Sequence, residues 1–319
     1  MMRITVVGAG WTGGLYGGVL ARAGQEVGFL ARGAHLQAIR SHGLQIRSAD
    51  FGTFTVDAPA SDDPADLGQA DLVIFAVKMY DLELAAQALE VVLAPDGRVL
   101  TLQNGLEAPD HIARIVGPER VLIGTTALET TILEPGVIGH VSPGHVVTIA
   151  AYNGPPTDVV QHIAVTVREA GINTHIAGSG RQALWDKACM LIPIATVTSV
   201  CRTSVGQVRD VPEARAVVEK VLAELVAVAL ADGYDVSAAR ERAISMWGSL
   251  PAAWKTSMMR DFERGNRTEL EWLTGALVRL ADKYAVEAPV SRAIYGVLKL
   301  RQALEGAVAA PAGAAAAGG

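Results

Sequence analysis

The sequence predicts an α/β protein: a doubly wound parallel sheet in the N-terminal half, then an all-helical domain. Three observations carry that prediction. Residues 4–13 read Ile-Thr-Val-Val-Gly-Ala-Gly-Trp-Thr-Gly, a β-branched strand running straight into Gly-x-Gly-x-x-Gly. Strand signals then alternate with helical stretches to about residue 177, the pattern of a parallel sheet. From about Arg181 onward the strand signals stop. The chain has 319 residues, which is long for one small core. It divides by pattern into a dinucleotide-binding domain (1–178), a helical substrate and dimerisation domain (179–308) and a disordered tail (309–319).

The glycines have separate physical tasks. Gly8 permits the tight turn, Gly10 lets backbone approach a pyrophosphate, and Gly13 lets helix and strand pack closely. The phosphates would lie over free N–H groups at the helix N-terminus, making Gly8, Ala9, Gly10, Trp11, Thr12 and Gly13 candidate cofactor contacts. With 33 glycines in the chain the pattern alone is weak. Its position, after a strand and opening a helix, makes it strong and marks the sheet as Rossmann-type. A second strand, Glu26–Ala31, ends at Arg32-Gly33-Ala34-His35. An NAD site places Asp or Glu about 20 residues beyond the glycines, against the ribose 2′-hydroxyl. Here Arg32 stands at the strand end, and a guanidinium suits a 2′-phosphate. NADPH is therefore expected over NADH, with His35 either assisting or lying in a surface loop.

Further strands are expected at Asp71–Val77, Arg98–Leu102 and Val121–Ala127. The continuous apolar character of Leu72–Val77 suits a central strand buried on both faces. Pro135–Ala151, with Pro-Gly at 135–136 and 143–144, reads as a hairpin or meander finishing the sheet. A helix near Thr157–Ala170 and a strand at Asn173–Ala177 close the domain. Helices are expected over Leu184–Val200, Glu213–Asp232, Ser237–Met246, Glu269–Ala285 and Ser291–Leu304. Thr268 with Glu271 reads as a capping box before Trp272–Leu280. The tail Pro311–Gly319 holds only alanine and glycine after its proline, with nothing to bury.

Bulk properties narrow the partners. Half the residues are hydrophobic and 19% are charged, the profile of a globular protein. A formal charge of −6 and the lack of a basic run argue against nucleic acid. The N-terminal apolar stretch lacks a cleavage pattern. The apolar runs Ala188–Val200 and Ala214–Leu230 read as too short or too charged to span a bilayer. A cytoplasmic address is expected, without a membrane partner. Cys189 and Cys201 read as reduced core residues, and no metal cluster is apparent.

Several segments resemble the ketopantoate reductases over residues 3 to about 300. They are the strand ending in Lys78 (Val-Ile-Phe-Ala-Val-Lys), Leu-Gln-Asn-Gly-Leu at 102–106, and Leu184-Trp185-Asp186-Lys187. Thr256-Ser-Met-Met-Arg-Asp261, followed by Arg267-Thr-Glu-Leu-Glu271, completes the set. The resemblance implies an NADPH-dependent, often dimeric enzyme of pantothenate biosynthesis that reduces a 2-keto acid to a 2-hydroxy acid. It implies that Lys187 is the general acid, and that Glu269 pairs with it or touches the developing hydroxyl and the cofactor. Ser257 would hold the substrate carboxylate, Asn104 would orient substrate or nicotinamide, and Lys78 would lie near the cofactor ribose or the reacting centre.

The chemistry also stands without the resemblance. Hydride addition to a ketone builds an alkoxide, which a nearby ammonium stabilises and protonates. Burial would lower the lysine pKa and Glu269 would raise it; the sequence leaves the winner open. Each residue has a plainer reading: a snorkelling lysine, a first-turn carboxylate at Glu269, a helix cap at Ser257, a turn at Asn104-Gly105, a solvated strand end at Lys78. Trp185, Trp247, Trp254 and Trp272 read as helical core.

The resemblance breaks four and eight residues after the lysine, where the family carries asparagines that hold a hydroxylated substrate. This chain has Leu191 and Ala195 there, and Val205 at a third such position. An apolar pocket points to the same chemistry on a more apolar carbonyl or imine. A non-catalytic NADPH-binding sensor is the remaining alternative.

Overall fold

The computed structural model describes residues 1–309, with side chains to Leu304. The chain forms two compact units, Met1–Leu184 and the residues from Trp185 onward. The first unit begins β1 (Arg3–Val7), α1 (Trp11–Arg22), β2 (Glu26–Leu30), α2 (Gly33–His42). Three short strands follow, β3 (Leu44–Ser48), β4 (Gly52–Val56) and β5 (Ala60–Ser61). Then come β6 (Ala70–Phe75), α3 (Leu82–Ala86), α4 (Leu89–Val92), β7 (Leu93–Thr101), α5 (Ala108–Val116) and β8 (Val121–Ala127). The unit continues through β9 (Thr130–Glu134), β10 (Val137–His140), β11 (Val146–Ala151), α6 (Asp158–Glu169) and β12 (Thr174–Ile176).

The main sheet has eight strands in the order β12-β11-β8-β7-β6-β1-β2-β5. All neighbours are parallel except β8 and β11. Strand order reverses between β1 and β6, the topological switch point of a doubly wound sheet. Leu72, Val73, Ile74 and Phe75 of β6 are almost wholly buried, as a strand covered on both faces requires.

A second sheet, β4-β3-β10-β9, was not foreseen. The expected meander at 135–151 is instead divided between the sheets. Pro135-Gly136 turns the β9–β10 hairpin into this second sheet, while β11 closes the main one antiparallel to β8. Helix α1 lies between the two sheets because its glycines remove the side chains that would hold them apart. A Cβ on Gly13 would stand 2.2 Å from the Gly8 carbonyl, and one on Gly17 2.7 Å from Val6 of β1. On the other face, Gly14 and Gly18 leave room for Ile138 and Ile46 of the second sheet, each 2.9 Å from the missing Cβ.

The second unit is helical, carried by α7 (Gly180–Cys201), α8 (Val205–Asp210), α9 (Pro212–Ala231), α10 (Ser237–Ser249), α11 (Ser257–Glu263), α12 (Thr274–Lys283) and α13 (Pro289–Ala309). Helix α7 begins at Gly180, four residues before its expected start, so the two units divide within it. The short α8 and α11 carried too few periodic positions to be seen in the sequence. Trp185 of α7 is 2% exposed and donates its indole N–H to the Asp232 carboxylate at 2.9 Å. Trp247 is also buried, whereas Trp254 and Trp272 are only partly so. On α9, Glu224 reaches the N-terminus of α13, accepting from the Val290 and Ser291 N–H groups at 2.8 Å and from the Ser291 hydroxyl at 2.5 Å.

Three expectations need correction. Thr268 and Glu271 do not form a capping box: a 3₁₀ turn, Leu270–Trp272, intervenes before α12, and Glu271 bonds Tyr295 and Lys299 instead. Cys189 is buried, but Cys201 at the end of α7 is exposed. Helix α7 is, by length and composition, apolar enough to cross a membrane. Two thirds of its apolar window is buried within the protein, as a core helix would be. The expected tail 309–319 lies outside the described residues, apart from Ala309 at the end of α13.

Candidate functional site

A groove of about 610 Å³ opens in the first unit at the carboxyl ends of β1, β2 and β6. Ligands of doubly wound sheets bind at this place. Gly8, at φ +99°, makes the turn out of β1; a Cβ there would lie 2.8 Å from the Val77 backbone nitrogen. Gly10 is the N-cap of α1 and contributes no side-chain cap, so the first N–H groups of the helix are left for a ligand. Ala9, Gly10 and Trp11 line the groove; Thr12 and Gly13 do not, Gly13 serving the packing of α1.

Trp11 is the unusual member of this loop. Its φ of +34° falls where L side chains seldom settle. Its indole, 39% exposed, stands with the Lys78 ammonium 5.3 Å from the ring centroid. That separation is within cation–π range. Lys78 follows β6 and begins a 3₁₀ turn, Met79–Asp81. Across the groove Arg32, the residue before α2, holds Asp81 at 2.7 Å. His35 is used structurally. Its Nδ1 accepts from the Gly136 N–H at 3.0 Å, which leaves Nε2 to donate to the Ala9 carbonyl at 3.1 Å. The ring thus ties the glycine loop to the β9–β10 turn, and neither nitrogen is left for a phosphate.

These residues fit a dinucleotide: tight glycine turn, uncapped helix N-terminus, cationic side chain at the second strand end. Asn104 lies in the loop after β7, beside Gly105 at φ +97°, and does not line the groove. Asp81 and Tyr80 do line it and were missed. The only available signal was their position just after Lys78, which was already a candidate.

The second unit carries the other candidates. Lys187 of α7 is partly buried, and desolvation pushes its ammonium down to about 8 against the opposing pull of the Glu269 carboxylate. Burial therefore wins the contest that the sequence left open. Glu269 is 4% exposed and starts the 3₁₀ turn, its carbonyl accepting from the Trp272 and Leu273 N–H groups. An ammonium titrating near neutral pH beside a buried carboxylate is equipped to give up a proton. Leu191 and Ala195 follow Lys187 by one and two turns of α7. Ala195 and Val205 are fully buried in the helical packing, whereas Leu191 is partly exposed. Ser257 is exposed and opens α11; the cap belongs to Thr256, whose hydroxyl accepts from the Met259 N–H at 3.2 Å.

The switch-point groove and its glycine turn define a dinucleotide-binding protein with a second, helical unit. Residues 4–154 match the family described as ketopantoate reductase PanE/ApbA, and residues 180–302 match the C-terminal part of the same family. The 2-dehydropantoate 2-reductase of Halobacterium salinarum is 35% identical over 304 residues, covering 94% of this chain and 99% of its own length. A ketopantoate reductase of Ralstonia eutropha JMP134 superimposes with a TM-score of 0.86 at 30% identity, over 96% of this chain and all of that one. A D-mandelate dehydrogenase, solved with NADH and anilino(oxo)acetate, shares the fold at 22% identity with a TM-score of 0.88, over 96% and 99% of the two chains. The chain belongs to the ketopantoate reductase family and is an oxidoreductase acting on CH–OH groups with a nicotinamide cofactor.

Proposed function

We propose that this protein reduces a 2-keto acid to the 2-hydroxy acid with NADPH, and that Lys187 is the general acid. The observation that carries the reading is the Lys187 ammonium, drawn down to about 8 with Glu269 acting on it. The nicotinamide supplies the hydride. Lys187 protonates the carbonyl oxygen as negative charge develops there, and Glu269 keeps the lysine sufficiently charged to do so. Ser257 would hold the substrate carboxylate and Asn104 would orient the substrate or nicotinamide. Gly8, Gly10 and the α1 N-terminus would take the pyrophosphate, Lys78 the ribose, and Arg32 the 2′-phosphate.

Within this reaction class, Leu191 favours a side chain more apolar than that of ketopantoate. An apolar wall offers no partner to a substrate hydroxyl, which would be desolvated at a cost. Ala195 and Val205 are buried in the core, which leaves Leu191 as the partly exposed member of the three. The protein would work in the cytoplasm as a homodimer, in keeping with the enzymes it resembles.

Initial rates on ketopantoate, 2-ketoisovalerate, phenylpyruvate and benzoylformate, followed by NADPH absorbance, test both levels. The expected result is turnover with an apolar 2-keto acid ahead of ketopantoate. A marked preference for ketopantoate would remove the apolar pocket, and no turnover on any member would remove the reductase. Lys187→Ala should lose about 10²–10⁴-fold in turnover while still binding NADPH. Loss of binding instead would refute the acid role.

A further inference from the structure

We propose that Asp81 is a cofactor-discriminating residue: an internal carboxylate that competes with the 2′-phosphate of NADPH for Arg32. This rests on the reading that Arg32 recognises that phosphate. The Arg32 guanidinium is 65% exposed at the side chain, yet it is held by the Asp81 carboxylate at 2.7 Å. Both residues line the same groove as the glycine loop. Asp81 is placed there by its 3₁₀ turn, its N–H donating to the Lys78 carbonyl at 2.9 Å. The remaining charged residues on the lining are Asp62, which is 3.7 Å from Arg40, and Lys78 over Trp11.

The consequences follow from charge. A 2′-phosphate carries nearly two negative charges and needs the guanidinium that Asp81 occupies. On arrival it must displace a carboxylate that then remains close by, and like charges repel. A ribose 2′-hydroxyl meets no such penalty. It can donate to Asp81, much as it donates to the acidic residue of NAD-binding sites. Arg32 and Asp81 therefore pull the same site in opposite directions, and the pair narrows the preference for NADPH over NADH that Arg32 alone would give.

The test is direct binding of NADPH and NADH to the full-length protein, by nicotinamide fluorescence, at low and high salt. Asp81→Asn keeps the size of the side chain and removes its charge. It should raise the NADPH-to-NADH affinity ratio by about tenfold, an effect shrinking in about 0.5 M salt as the charges are screened. A ratio within twofold of the wild type, or one shifted toward NADH, overturns the proposal. Arg32→Ala is the control for the underlying reading. If it weakens NADPH selectively while Asp81→Asn changes nothing, only the role of Asp81 fails. If Arg32→Ala leaves the ratio unchanged, the 2′-phosphate reading fails and takes this proposal with it.

Discussion

Lys187 shows why a single side chain can be named from sequence while its chemistry cannot. A lysine in open water titrates near 10.4 and holds its proton too firmly for fast transfer at neutral pH. Burial in the helical unit brings this one to about 8, and the Glu269 carboxylate, itself buried, stops it falling further. Reduction needs the protonated form, so kcat/KM should be flat below about pH 8 and decline above it. Glu269→Gln removes the charge that supports the ammonium, and the alkaline limb should move to lower pH. A limb that stays in place, or moves up, would show that Glu269 does not act on Lys187. The identity of these residues was legible because lysine and glutamate stand in recognisable segments. The direction of the shift was not, since it depends on how much protein surrounds the ammonium. Asp81 was illegible for a related reason: nothing in Lys-Met-Tyr-Asp tells which cation the carboxylate will meet.

Among the elements, the strongly patterned ones were read correctly. The expected span Val121–Ala127 is the observed strand, and β1 and β6 differ from expectation by a residue or two at their ends. The second sheet was missed because β3 and β4 are short and only partly apolar, and gain their stability by pairing and by packing on α1. That packing depends on glycines, which carry no hydrophobic signal. A comparable tertiary device secures α13. Three donors at its N-terminus, two backbone and one hydroxyl, converge on Glu224 of α9, and Ser291 is fully buried. Glu224→Ala leaves these donors unsatisfied and should cost about 2–3 kcal/mol, seen as a lower midpoint in thermal unfolding. Glu224→Gln keeps one acceptor and should lose less. Equal stability of all three proteins would mean that water replaces the carboxylate without loss.

For the whole molecule, sequence and structure speak to different questions. The homodimer expected from the family resemblance predicts twice the chain mass in light scattering at micromolar concentration, and a melting temperature that rises with protein concentration. A monomeric mass across that range would refute it. The doubly wound sheet, the helical second half and the dinucleotide motif were determined by sequence alone, because hydrophobic period, glycine spacing and strand composition are local properties. The tertiary structure decided the rest: the sheet that clasps α1, the pinning of His35, the pairing of Arg32 with Asp81, and the lowered pKa of Lys187. Each of these is set by which distant side chain arrives beside which, and by how much water is excluded when it does.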